Sequence, residues 1–181
     1  MPTKNNTTNY GTNCHSVKKN IIEEANTSWN KIFNNSTNVL GILVRGTDYT
    51  SIQPSGHSIP ATAETSINDT KKMDKKYNYD YYFLATEDSI AREKFKKEFG
   101  DKVKFLLPDK QFIYDYEEAN YLTFYQEIFG NINYQKTYLM SMIFFSKCID
   151  VITSRTSGAA GGYILSKGFR NDLVYYLGEY F

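Results

Sequence analysis

Residues Val39-Leu40-Gly41-Ile42-Leu43-Val44 form six apolar positions without a break. A strand with one wet face would alternate polar and apolar side chains. A short unbroken run instead suits a strand covered on both faces, as in the middle of a parallel sheet. The pattern recurs. Tyr81-Tyr82-Phe83-Leu84-Ala85 reads as a second buried strand, residues 103–107 as a third, 149–153 as a fourth and 173–176 as a fifth. Helical patterns separate them. Val17, Ile21, Ile22, Ala25, Trp29, Ile32 and Phe33 fall on one helical face, with Ser16 as N-cap and Asn34-Asn35-Ser36-Thr37-Asn38 as the break. Pro60 suits the first turn of a helix over 61–76. Asp88 opens a helix that turns Ile90, Ala91, Phe95 and Phe99 inward and stops at Gly100. One helix is expected before Gly130, another over 134–147, and a small-residue helix over 157–167. This alternation predicts an α/β fold: a Rossmann-like parallel sheet of about five strands, right-handed crossovers, and helices on both faces.

At 181 residues the chain has the length of one domain, here expected over 16–181 after a flexible leader at 1–15. Its net charge of +1 argues against a nucleic-acid partner held by a global positive field. Cys14 and Cys148 are too few for a disulfide framework or a four-thiolate zinc site, and Cys148 reads as a core residue. Residues 1–6 show no secretory signal, and the mainly apolar stretch 139–145 is far below the ~20 residues of a membrane span. The expectation is a cytoplasmic domain with no membrane span. The chain carries 16 Tyr, 12 Phe and one Trp, and its aromatics crowd between Phe105 and Tyr138. The rings of 112–134 suit a core or interdomain face, with a sugar-stacking platform as the alternative.

In such sheets ligands bind outside the carboxyl ends of the strands. Strand one runs into Arg45-Gly46-Thr47-Asp48, strand two into Thr86-Glu87-Asp88, and strand four into Ser154-Arg155-Thr156-Ser157-Gly158. Capping accounts for Thr86 and Asp88 by default. Arg45 is different, because a guanidinium directly after six apolar residues needs an anion beside it. Asp48, Asp88 and a bound phosphate are the candidates, and phosphate matches the two-pronged guanidinium best. Ser154, Thr156 and Ser157 offer hydroxyls at a helix start, itself an anion site. Gly161 and Gly162 fit tight helix packing at least as well as ligand approach. Arg155 reads equally as a second phosphate clamp and as a solvated loop charge. The chain has neither G-x-G-x-x-G nor G-x-x-x-x-G-K-[ST], and it lacks Asp-x-Asp; Asp115-Tyr116-Glu117 is the nearest approach. No metal site or cofactor is therefore expected, and His15, His57, Cys14 and Cys148 show no zinc spacing.

Three of these segments resemble the motifs of the fucosyltransferases that add α1,2-, α1,6- or O-linked fucose from GDP-fucose. Arg45-Gly46-Thr47-Asp48 resembles their Arg-x-x-Asp segment. Phe83-Leu84-Ala85-Thr86-Glu87-Asp88 is similar to their strand ending in Ala-Thr-Asp-Asp. Val151-Ile152-Thr153-Ser154-Arg155-Thr156-Ser157 resembles their strand ending in a Ser/Thr-rich turn. Order and spacing agree from Val39 to about Leu165. The resemblance implies the C-terminal, donor-binding half of a GT-B glycosyltransferase that inverts the anomeric centre without a metal. It implies that Arg45 holds the diphosphate and helps GDP leave, with Asp48 beside it. It also implies that Asp88, with Glu87, contacts ribose or guanine, and that Thr156 and Ser157 reach the phosphates.

The departures are specific. Many members carry His two residues before the Arg, where this chain has Leu43. A glutamate proposed as base in some relatives has no counterpart in 49–60, and that loop offers His57, whose pKa suits deprotonation of an acceptor hydroxyl or whose role is only a loop hydrogen bond. A GT-B enzyme also has a second Rossmann-like domain for the glycan acceptor. The expected partners are thus a GDP-sugar, a glycan acceptor, and a missing or separate N-terminal domain. The contrasting expectations are a catalytically silent nucleotide- or phosphosugar-binding module and a structural domain that docks a partner chain.

Overall fold

The computed structural model describes residues 17–45, 53, 55–106 and 132–180. The leader, Ser16, Asp48, the aromatic stretch 112–131 and the helix expected before Gly130 lie outside the described residues. Five strands, β1 (Val39–Leu43), β2 (Tyr81–Ala85), β3 (Val103–Lys104), β4 (Asp150–Ser154) and β5 (Asn171–Tyr175), form one sheet in the order β3-β2-β1-β4-β5. All four pairings are parallel. The described helices are α1 (Lys19–Phe33), α2 (Ala63–Tyr77), α3 (Ser89–Phe99), α4 (Ile132–Lys147) and α5 (Ser157–Leu165). The fold is the Rossmann-like α/β sheet expected. Its order reverses between β1 and β4, where the chain stops adding strands on one side and begins on the other.

Helices cover both faces. Ala25, Trp29 and Phe33, spaced one turn apart on α1, pack with Met140, Ile143, Phe144 and Phe145 of α4 over Val39, Phe83 and Val151. On the other face Ile67 of α2 and Ala91 and Phe95 of α3 pack over Leu40, Ile42, Leu84 and Ile152. Part of the aromatic load is spent here: Trp29 meets Phe144 edge-on at 5.4 Å, and Phe33 meets Phe83 at 6.2 Å. Gly41 has a steric reason. A Cβ there would lie 2.9 Å from Cys148 Sγ and 3.1 Å from Phe145, so the missing side chain lets the end of α4 settle on the central strand. Cys148 is the buried core residue expected. Among the described residues no helix is long and apolar enough to cross a membrane.

Several boundaries differ from the sequence reading. α2 starts at Ala63, because Thr62 accepts a hydrogen bond from Thr65 N (3.2 Å) and caps it; Pro60 precedes the cap. β5 starts two residues early, at Asn171. There the backbone N–H of Asn171 donates to the Asp150 carboxylate at 2.8 Å. Asp150 is fully buried at the amino edge of the sheet, and it also accepts from the Arg170 guanidinium, Asn171 Nδ2 (3.0 Å) and the Tyr79 hydroxyl. Burial alone would raise its pKa, but the donors from Arg170, Tyr79 and Asn171 outweigh that and hold it below the ordinary aspartate value.

This cluster fastens β4 to β5 on the edge opposite the strand carboxyl ends. Arg170→Ala strands the buried carboxylate and is expected to cost about 3–5 kcal/mol at neutral pH. Because the folded-state pKa is depressed, the wild-type contribution is full above the unfolded value of about 3.9 and is lost as pH falls through the folded value. Denaturant melts of both proteins should therefore differ strongly at pH 7 and converge below about pH 4.

Candidate functional site

β1 has a strand on each side and helices on both faces, so its side chains meet solvent only beyond its carboxyl end. That is where Val44 and Arg45 stand. A cavity of about 100 Å³ opens there, lined by the carboxyl ends of β1 (Leu43, Val44, Arg45) and β2 (Phe83 to Glu87), Phe105 and Leu106 after β3, Arg92 of α3, one face of α4, and Thr156 and Gly158 at the start of α5. The walls are mostly apolar. The charged side chains among the described lining residues are Arg45, Arg92 and Glu87, two cations against one anion.

Local sequence positions these groups. Asp88 Oδ1 accepts from the backbone N–H groups of Ile90 (2.8 Å) and Ala91 (3.1 Å), capping α3. Thr86 Oγ1 accepts from Asp88 N at 3.1 Å, completing a tight turn that leaves Glu87 on the cavity. Thr156 Oγ1 caps α5 by accepting from Ala159 N (3.2 Å). Its hydroxyl proton remains available as a donor at a helix N-terminus.

α4 contributes Tyr134, Thr137, Tyr138, Ser141, Met142 and Phe145, successive members of one helical stripe. Tyr134 and Tyr138 stack nearly parallel, with ring centroids 6.3 Å apart. The Tyr134 hydroxyl donates to Glu87 Oε1. Burial, with the Glu87 carboxylate beside it, holds the Tyr134 phenol well above the ordinary tyrosine range, although Arg45 pulls the other way. Tyr134 therefore stays protonated, a fixed donor to Glu87. Tyr138 reaches the start of α5: a Cβ on Gly158 would lie 3.0 Å from its hydroxyl. Arg45 is half-buried and engaged within the protein, while its Nε is buried with no hydrogen bond of its own.

Of the residues singled out from sequence, the structure brings Arg45, Thr86, Glu87 and Thr156 together on this cavity. The others stand elsewhere among the described residues. The Asp88 carboxylate is occupied in capping. Ser154 is buried, and its Oγ accepts from Ala61 N at 2.9 Å, tying down the segment before α2. Arg155 is exposed and lies over the Tyr176 ring at 5.8 Å. Ser157 is an exposed first residue of α5. His57 is exposed on a limb held by the tail: its carbonyl accepts from Tyr180 N (3.0 Å), and Ile59 N donates to Gly178 O (2.9 Å). Among the described residues no three His, Cys, Asp or Glu side chains converge.

The sequence reading missed Arg92, Tyr134, Tyr138, Thr137 and Ser141. A signal was there: Tyr134, Thr137, Tyr138 and Ser141, four hydroxyl side chains, share one stripe of the helix. These side chains are half-buried, and Ser141 Oγ donates to Tyr138 O (2.7 Å) within the helix, so the stripe alone did not announce a site.

No protein-family profile matches the chain, and no curated protein is significantly similar to it. Solved structures of NodZ are similar in fold. The alpha-1,6-fucosyltransferase NodZ co-crystallized with GDP aligns with a TM-score of 0.49 at 15% identity, covering 82% of this chain and 42% of that one. The same enzyme soaked with GDP-fucose gives 0.49 at 14% identity, covering 83% and 43%. Fucosyltransferase NodZ from Bradyrhizobium gives 0.49 at 13% identity, covering 82% and 42%. This chain thus spans about two fifths of the length of the structures it matches.

The glycines of α5 divide by role. Gly158 lines the cavity, whereas Gly161 and Gly162 let α5 pack on α4. A Cβ on Gly162 would lie 2.5 Å from the ring of the buried Phe145, and one on Gly161 2.5 Å from the thioether sulfur of Met142. The ring cannot give way, but Met can. Gly162→Ala is expected to lose about 1–3 kcal/mol in a denaturant melt. Gly161→Ala should stay near wild type, because the helix-propensity gain of about 1 kcal/mol offsets a small repacking cost.

Proposed function

We propose that this chain is the donor-binding part of a fucosyltransferase-like, inverting glycosyltransferase, and that the cavity at the strand carboxyl ends takes a GDP-sugar, with GDP-fucose the donor that the motif resemblance implies. One observation carries the reading: Arg45, Glu87 and Thr156, each from a different motif and a different strand end, line the same cavity at the point where the strand order reverses. In this reading the diphosphate lies toward β1 and β4. The Arg45 guanidinium holds it there, the Thr156 hydroxyl donates to it, and the first turn of α5 faces it beside the Tyr138 hydroxyl. The base lies toward β2, where Glu87, rather than Asp88, offers the carboxylate.

The chemistry follows from that placement. As the acceptor hydroxyl oxygen attacks the anomeric carbon from the opposite face and gives up its proton to a base or water on the acceptor side, the bond from that carbon to the phosphate oxygen breaks, and its electron pair leaves with GDP. Charge grows on the diphosphate in the transition state, and Arg45 stands ready to stabilise it without reorganising. The apolar walls strengthen that interaction by keeping water away.

Calorimetry tests the reading. GDP should bind more tightly than UDP, with affinity unchanged by EDTA. Arg45→Ala should weaken GDP binding by about 2–5 kcal/mol and abolish the GDP-induced rise in melting temperature. Arg45→Lys should also bind poorly, since an ammonium lacks the bidentate geometry. A preference for UDP, a strict Mn²⁺ requirement, or an undiminished GDP shift in Arg45→Ala would overturn it.

A further inference from the structure

We propose that two copies of this chain associate through the outer edge of β5, their sheets running on into one across an antiparallel β5–β5 pair. The inference stands apart from the nucleotide reading. The two edges of the sheet are built differently. β3 is two residues long and ends in Lys104, a short charged edge of the kind that resists pairing. β5 is five residues long, and its outer edge meets no other strand among the described residues. It contains no Lys, Pro or Gly. An edge of that length offers a row of backbone N–H and C=O groups to a further strand.

Side chains define the partner. Leu173 and Tyr175 turn toward α2, where the Tyr175 hydroxyl donates to Asp69. Asp172 and Val174 turn to the opposite face, with Tyr176 next in the same alternation. On that face Tyr163 of α5 donates to Asp172 at 2.8 Å, but α5 leaves the rest of the row open: Val174 is 45% and Tyr176 59% exposed. Charge then selects the occupant. Asp172, the one charged residue of β5, stands near its amino end, and exposed Arg155 lies over the Tyr176 ring past its carboxyl end. A strand with opposite charges at its two ends is complementary to its own antiparallel copy. With a two-fold axis at Val174, that residue faces Val174 of the second copy. Asp172 then faces Tyr176 and the Arg155 above it, twice over. Beyond the strand the same count sets Glu179 opposite the segment that carries Lys167 and Arg170. Sliding the pair toward its amino ends would bring the two Asp172 carboxylates opposite each other, which like charge opposes. In-register parallel pairing would set Asp172 beside Asp172 and Arg155 beside Arg155.

Sedimentation velocity of the full chain over a concentration series, with hydrogen exchange of the β5 amides, tests this. Wild type should pass from monomer to dimer as concentration rises, and the amides of 171–176 should gain protection as it does. Val174→Lys, at an exposed position, should hold the chain monomeric with its circular dichroism unchanged. Asp172→Arg and Arg155→Asp should each weaken the dimer by roughly tenfold or more, because each sets like charges together at both ends of the pair. Mixing those two variants should restore association to near the wild-type level, since every such contact is again Arg against Asp. Misfolding of either variant cannot mimic that recovery. Should Asp172→Arg, which loses the Tyr163 bond, unfold, Val174→Lys decides by itself. A chain that stays monomeric throughout overturns the inference, whether its β5 amides exchange freely or are protected by another part of the same chain. So does a dimer that Val174→Lys leaves intact, or a mixture of folded charge variants no more dimeric than its components.

Discussion

The burial of β1 governs the rest of the molecule. Leu40 to Leu43 pair with a strand on each edge, and helices cover both sheet faces, so charge is tolerated only past the strand's end. Arg45 is the first residue at which a cation can stand, and the order reversal beside it keeps that place from being roofed by a crossover. Gly41 belongs to the same constraint. With any side chain there, α4 could not lie against β1, and the hydroxyl stripe of α4 would not reach the strand ends.

The two edges of the sheet accordingly do different work. At the amino edge, Asp150 is buried with its charge balanced by Arg170 and its oxygens filled by Tyr79 and Asn171, a closed network. At the carboxyl edge the described lining residues include two guanidiniums and one carboxylate in mostly apolar surroundings. Polar groups at the first edge are satisfied by the fold itself. Those at the second line a cavity as well as engaging one another, as Tyr134 and Glu87 do.

Local rules made much of this legible in the sequence. Unbroken apolar runs marked the strands, and Asp88 marked a helix start because capping is decided within three residues. The same rules could not rank the polar residues at a strand end. Glu87 and Asp88 are adjacent and chemically alike, yet the cap takes one and the cavity receives the other. Ser154 and Thr156 differ similarly, since Ser154 is drawn inward by a backbone N–H ninety-three residues away. Arg92, Tyr134 and Tyr138 were invisible to motif reading because their partners, Phe105, Glu87 and Gly158, are joined to them only by the fold.

A crystal structure of the chain grown with GDP addresses the central claim most directly. The account predicts GDP in the cavity, its diphosphate within hydrogen-bond distance of Arg45 and Thr156 and its base on the Glu87 side of β1. Well-ordered GDP anywhere else, with this cavity unchanged, would contradict it.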